Sequence, residues 1–322
     1  MKKLLFFVAF VFVAGSASSQ SEKVGIFKHL DASVSLGTTG IGIDVSSPIG
    51  NYVNARVGFD FMPQFHHHMN FGVQVGDDAK TSGTKFERLS GLLEDITGFK
   101  VDNQIEMIGK PTMNNFKFLI DVFPFKNDKR IHFTAGFYYG SSQIAKAYNA
   151  TEDMPSLMAV SMYNNIYNKV LNNEPIYNNS AYLPYDVEEA ILNNGRMAIH
   201  IGDYAQDVYD ADGNLIHSKG DPYMMEPDEN SMCKAKVSVN SFKPYLGVGY
   251  GGKLFKNSDK YHVAVDLGVL FWGGTPKIVT HDGTDLANDV ENISGKVGDY
   301  VDLLKAFKIY PVLNVRFVRT IF

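Results

Sequence analysis

Tyr310-Pro311-Val312-Leu313-Asn314-Val315-Arg316-Phe317-Val318-Arg319-Thr320-Ile321-Phe322 is the stretch that decides the fold. Leu313, Val315 and Phe317 alternate with Asn314 and Arg316, and the chain closes on Thr320, Ile321 and Phe322. A period of two marks a strand with one apolar face. An amphipathic last strand with an aromatic final residue predicts an outer-membrane β-barrel, with Phe317, Thr320 and Phe322 as its assembly signal.

The same period recurs upstream. Leu30, Ala32, Val34 and Leu36 alternate with Asp31, Ser33, Ser35 and Gly37, and Val53, Ala55, Val57, Phe59 and Phe61 alternate with Asn54, Arg56, Gly58 and Asp60. Counting such runs predicts eight strands, near 29–37, 40–47, 52–62, 114–124, 130–141, 241–252, 260–272 and 309–322. The fold class is an all-β membrane protein: an eight-stranded antiparallel transmembrane barrel with long, partly helical extracellular loops near 63–113, 142–240 and 273–308. Turns at Pro48, Asn127 and Ser258 face the periplasm and are short, as is the rule for such barrels. A soluble sandwich also buries one face of each strand. Here the buried face would be the polar one, which favours the membrane.

At the other end, Lys2 and Lys3 precede the apolar run Leu4 to Val13 and the small residues of 14–19. That pattern predicts a signal peptide over 1–19, too short to span a membrane as a helix. With both lysines removed the net charge of −5 becomes −7, a balance that argues against nucleic acid as a partner. The single cysteine, Cys233, excludes an internal disulfide.

Assigning apolar faces to lipid places Asp31, Asp44, Asp60, Asp121 and Asp266 with Arg56, Lys117, Lys243 and Arg316 in one interior. Buried charges need partners, so a paired network filling the lumen is expected. Val265→Arg on the lipid face is expected to cost about 2 to 4 kcal/mol, and Asp266→Asn less.

Asp121-Val122-Phe123-Pro124-Phe125, Ile131-His132-Phe133-Thr134-Ala135-Gly136-Phe137-Tyr138-Tyr139, Lys243-Pro244-Tyr245-Leu246-Gly247-Val248-Gly249-Tyr250-Gly251, Asp266-Leu267-Gly268-Val269 and Tyr310-Pro311-Val312-Leu313 resemble a family of small Gram-negative outer-membrane β-barrel proteins. The resemblance covers most strands but little of 142–240. It implies the fold and the location, and carries over no catalytic residue. Arg319 departs from the pattern and predicts a change of face or a bulge there.

Between the strands, Leu286, Val290, Ile293, Val297, Tyr300, Leu304 and Phe307 step by four and three, predicting one amphipathic helix. Further helices are expected over Pro155 to Leu171 and Lys85 to Ile96, forming a helical cover over the barrel mouth. Segment 142–239 carries 14 acids against 6 bases. They keep an exposed surface soluble or hold cations, and Tyr163, Tyr167, Tyr177, Tyr182, Tyr185, Tyr204, Tyr209 and Tyr223 either face a partner or form the loop's own core.

Other chemistry is sparse. His66 and His68 fall on one side of an extended chain and are metal candidates, with no third donor nearby in sequence. Asp210-Ala211-Asp212-Gly213-Asn214 reads as a hairpin turn before it reads as a calcium loop. His132 and His262 point inward on the same strands' polar faces, as Ser33 and Ser35 do, but no nucleophile motif accompanies them. The expectation is a non-enzymatic, structural or surface-binding barrel without cofactor, monomeric, in contact with outer-membrane lipids, lipopolysaccharide and the barrel-assembly machinery. The alternatives are a narrow porin-like channel and a lipid-modifying barrel enzyme.

Overall fold

The chain forms two large sheets, one above the other, and a separate two-stranded hairpin. A computed structural model describes residues 29–76, 78–98, 100–125, 128–176, 181–293 and 295–322; the expected signal peptide, Tyr177 and the turn residue Asn127 lie outside them. In chain order the elements are β1 (Asp31–Gly37), β2 (Gly40–Pro48), β3 (Val53–Phe61), β4 (His67–Val75), α1 (Ala79–Thr97), β5 (Gln104–Pro111), β6 (Asn114–Val122), β7 (Ile131–Gly140), β8 (Gln143–Asn149), α2 (Met154–Leu171) and α3 (Tyr185–Asn194). Then follow β9 (Met197–Tyr204), β10 (Val208–Tyr209), β11 (Leu215–His217), β12 (Pro222–Met225), β13 (Lys234–Ser238), β14 (Phe242–Phe255), β15 (Ser258–Leu270), β16 (Lys277–Thr280), β17 (Val290–Glu291), α4 (Gly295–Ala306) and β18 (Tyr310–Thr320).

Eight of these strands close a barrel in the order β1-β18-β15-β14-β7-β6-β3-β2, every neighbour antiparallel. Closure is continuous to the end of the chain, where Leu30 N donates to Phe322 O at 2.9 Å and Ile321 N to Leu30 O at 2.8 Å. The predicted irregularity at Arg319 is absent. β18 pairs without a shift on both sides, Arg319 opposite Ala32 and Tyr261, and its guanidinium lies 6.0 Å from the Tyr261 ring centre on the outward face. A long cation at the barrel's lower rim reaches water from that face, so no change of side is required.

The second sheet, in the order β12-β9-β4-β5-β8-β13-β16 with β17 also on β9, stands beyond one end of the barrel as a cap. It is built from the same chain runs. β3 continues into β4, β6 is preceded by β5, β7 continues into β8, β14 is preceded by β13, and β15 continues into β16, each pair separated by a short break. Hydrogen bonds stitch across those breaks: Met62 N to Met113 O at 3.1 Å, Thr112 N to Ile144 O at 2.8 Å and Val239 N to Ser142 O at 2.8 Å.

Helices α1 and α2 cover this upper sheet. Asp78 caps α1 by accepting from Lys80 N, and Gly98, at φ 74°, ends it. Asn164 of α2 sits buried against β9, donating to Met197 O at 2.7 Å and accepting from Met197 N at 2.9 Å. The cover is therefore more sheet than helix. The stripe from Leu286 is not one helix either: Val290 pairs with Tyr204 in β17, Asn292 and Gly295 adopt positive φ of 55° and 67°, and α4 starts only at Gly295. Leu286, Val290 and Val301 all reach the same core by different backbone paths.

Candidate functional site

Two interiors exist, a charged one in the barrel and an apolar one in the cap. Inside the barrel, alternation turns Asp44, Arg56, Asp60, Lys117, Asp121, Asp266 and Arg316 inward, where all are buried. They form two groups. Lys117 Nζ lies 2.8 Å from Asp44 and 2.6 Å from Asp60, and Thr39, folded in from the β1–β2 turn, donates to Asp60 at 2.8 Å. Deeper, Arg56 donates to Asp121 at 3.0 Å and to Asp266 at 3.2 Å. Asp266 is the hub of that second group, receiving Arg316 Nε at 3.1 Å, with His132 Nε2 at 2.8 Å.

Glycine makes the room. A Cβ on Gly42 would collide with Asp60 and Ser35, and one on Gly249 with His132 and Asp266. Two expected members stand apart. Lys243 meets neutral acceptors, Asn115 Oδ1 at 3.0 Å and the Ser141 carbonyl at 3.3 Å, while Asp31 accepts from Thr320 at 2.7 Å near the lower rim. Leu119, at the level of Arg56, joins Tyr138, Tyr245, Leu270 and Val312 in one buried cluster within the bore. The space left at mid-barrel is about 10 Å³, no more than one water occupies.

The other candidates disperse. His132 is engaged by Asp266, not by Ser33 or Ser35, so no serine–histidine pair forms. His68 lies 2.9 Å from Glu106 and His67 2.6 Å from the Tyr300 hydroxyl. Among the described residues no three metal-ligating side chains converge, on His66 and His68 or elsewhere. Asp210 sits in the hairpin turn between β10 and β11, accepting from Asp212 N and Asn214 N. Several other acids of 142–239 likewise accept from backbone amides, Asp228 from Asn230 N and Met232 N, Asp221 from Ser218 N, and Asp153 from Glu106 N. The tyrosines divide by burial. Tyr163, Tyr204 and Tyr223 are buried in the cap core, while Tyr182, Tyr185 and Tyr209 are exposed. Burial pushes the Cys233 thiol up to about 12, leaving it protonated and inert.

What sequence reasoning missed is a chamber of about 430 Å³ between the cap sheet and α4. Met69, Met107 and Met225 line it with Val297, Val301 and Leu304 of α4, and His67 with Tyr300 stands among the lining residues. A second unforeseen feature is a row of lysines on the other face of the same sheet. Lys110 pairs with Lys146 and Lys146 with Lys236 across β5, β8 and β13. Lys110 and Lys146 lie 5.5 and 5.9 Å from the Tyr148 ring centre.

No protein-family model matches the chain, and no curated protein matches it. Among solved structures it is similar to CarO2 of Acinetobacter baumannii, at 13% identity and a TM-score of 0.37 over 91% of this chain and 98% of that one. It is similar also to CarO of the same organism, at 14% identity and 0.36 over 90% and 96%. Scores this low carry no weight for function, and the barrel rests on the strand pairing described above.

Proposed function

We propose that this chain is a sealed, non-enzymatic barrel of the outer membrane, with its termini toward the periplasm and its cap outside the cell as a binding module. One observation carries the reading: a closed barrel turns apolar side chains outward on every strand while its interior is charged and, at mid-barrel, filled, opening only below that plug into a vestibule of about 680 Å³ toward the termini. Outward-facing Val34, Ile43, Phe59, Phe133, Leu246, Leu267 and Phe317 are all about half exposed. An apolar belt that encircles a protein is far larger than a monomer leaves to water, and hydrocarbon is the solvent it suits. Tyr139 and Phe242 toward the cap, with Tyr52 and Tyr261 toward the termini, supply the aromatic residues expected at two interfaces.

The lysine row supports this orientation and a lipid partner. Like charges directly opposite each other destabilise a sheet, and among the described residues none of Lys110, Lys146 and Lys236 has a carboxylate partner. Standing in the cap sheet, with Lys146 and Lys236 on strands continuous with those of Tyr139 and Phe242, they suit the phosphates of lipopolysaccharide. Phe322, exposed and just past β18, completes with Phe317 and Thr320 the residues expected to meet the assembly machinery.

Against the channel alternative stands the bore's filled mid-section. In planar bilayers the protein is expected to give no steady open level, and a reproducible unit conductance would overturn the sealed reading. Membrane placement has its own test. Val265, 44% exposed and opposite Tyr250 and Val315, is a mid-belt position. Val265→Arg is expected to cost about 2 to 4 kcal/mol in vesicle refolding; a loss within about 0.5 kcal/mol, as at an ordinary surface site, contradicts lipid contact.

A further inference from the structure

The cap chamber is open where a folded core would be full. Protein interiors pack as densely as organic crystals, with few voids larger than a water. This one is about 430 Å³, within the range of ligand pockets. Its origin is visible in the register. Gly109 pairs with Ala147, and Ala147 with Ala235, so three adjacent strands present no side chain beyond a methyl at one level of the chamber wall. Opposite them α4 supplies only the aliphatic Val297, Val301 and Leu304 and the edge residue Tyr300.

Three features define what fits. Apart from Lys110, Lys146 and Thr280 and the edge pair His67 and Tyr300, the lining residues are apolar or glycine, so the body of a ligand carries no charge. Met69, Met107 and Met225 are unbranched and conform to a flexible guest. At the edge, the Tyr300 hydroxyl and His67 Nε2 lie 2.6 Å apart with their rings in edge contact at 5.2 Å, a polar pair suited to an oxygen-bearing head. Phe65, 60% exposed, lies at the same edge, in the break that joins the cap to the barrel.

We infer that the chamber binds the acyl chain of a single-chain amphiphile, tail inward and head beside His67 and Tyr300. This deepens the reading of the cap as a binding module, and it is independent of whether the bore conducts. The test uses the full protein in nanodiscs of saturated phosphatidylcholine, with empty discs as background and cis-parinaric acid as the fluorescent probe. Saturable one-to-one binding is expected for the wild type. Ala147→Phe and Ala235→Phe each fill the chamber and should weaken binding at least about tenfold, with the folded form's gel migration unchanged.

A photoactivatable fatty acid separates the sources. Labelling of the peptides holding Met69 and Met107 by the free acid, but not by a phospholipid carrying the same acyl group, supports the single-chain ligand; labelling by the phospholipid alone overturns it. Equal binding in the wild type and a folded filled variant overturns the inference. So does labelling confined to the barrel's outer face, even if neither variant folds. Loss of conductance-silent behaviour with chamber labelling intact would strike the sealed bore and leave this site standing.

Discussion

Asp266→Asn is expected to destabilise the barrel by about 3 to 5 kcal/mol, the cost of breaking a buried ion pair from one side. Sequence alone ranks this change below Val265→Arg. The geometry reverses the order. Asp266 faces Arg56 at 3.2 Å, Arg316 at 3.1 Å and His132 at 2.8 Å, so removing its charge leaves Asp121 as the remaining carboxylate partner of Arg56 and none for Arg316 among the described residues. Urea unfolding of vesicle-inserted protein measures the difference. If Asp266→Asn costs less than Val265→Arg in the same assay, the hub does not hold the lower network together.

Lys117→Met is the second large effect. Its ammonium is 2% exposed and serves two carboxylates that are no more open than itself. With the cation gone, Asp44 and Asp60 face each other in a closed interior. A loss of about 3 to 5 kcal/mol is expected, and a triple variant, Lys117→Met with Asp44→Asn and Asp60→Asn, should recover most of it, since a neutral interior has no charge to compensate. Failure of the triple variant to regain stability beyond the single one would show that packing, not charge, sets the cost.

Much of this was readable beforehand, and for one reason: barrel strands are wet or greasy on opposite sides, so their faces alternate in the sequence. Arg56, Lys117 and Asp266 could be assigned inward from parity alone. Parity does not say who pairs with whom, because partners such as Arg56 and Asp266 are 210 residues apart, and Lys243 looks like a network member until Asn115 is found beside it. The cap was less legible. β9, Met197–Tyr204, is buried on both faces over most of its length, so its sequence does not alternate. Leu286, Val290 and Val301 mimic a helical stripe because strand, turn and helix deliver them to one core. The chamber left no signal, since Gly109, Ala147 and Ala235 are marked by what they lack.

Five of the barrel's staves run on through their breaks into the cap, so the two compartments share one set of alignments. Sliding any of these staves by a single position would exchange its two sides. The methyl-lined hollow would then turn to solvent and the lysine row inward, in the same step that drove Lys117 or Asp266 out into the surrounding belt. A misaligned barrel could not carry a correct cap, and selection on either compartment proofreads the other.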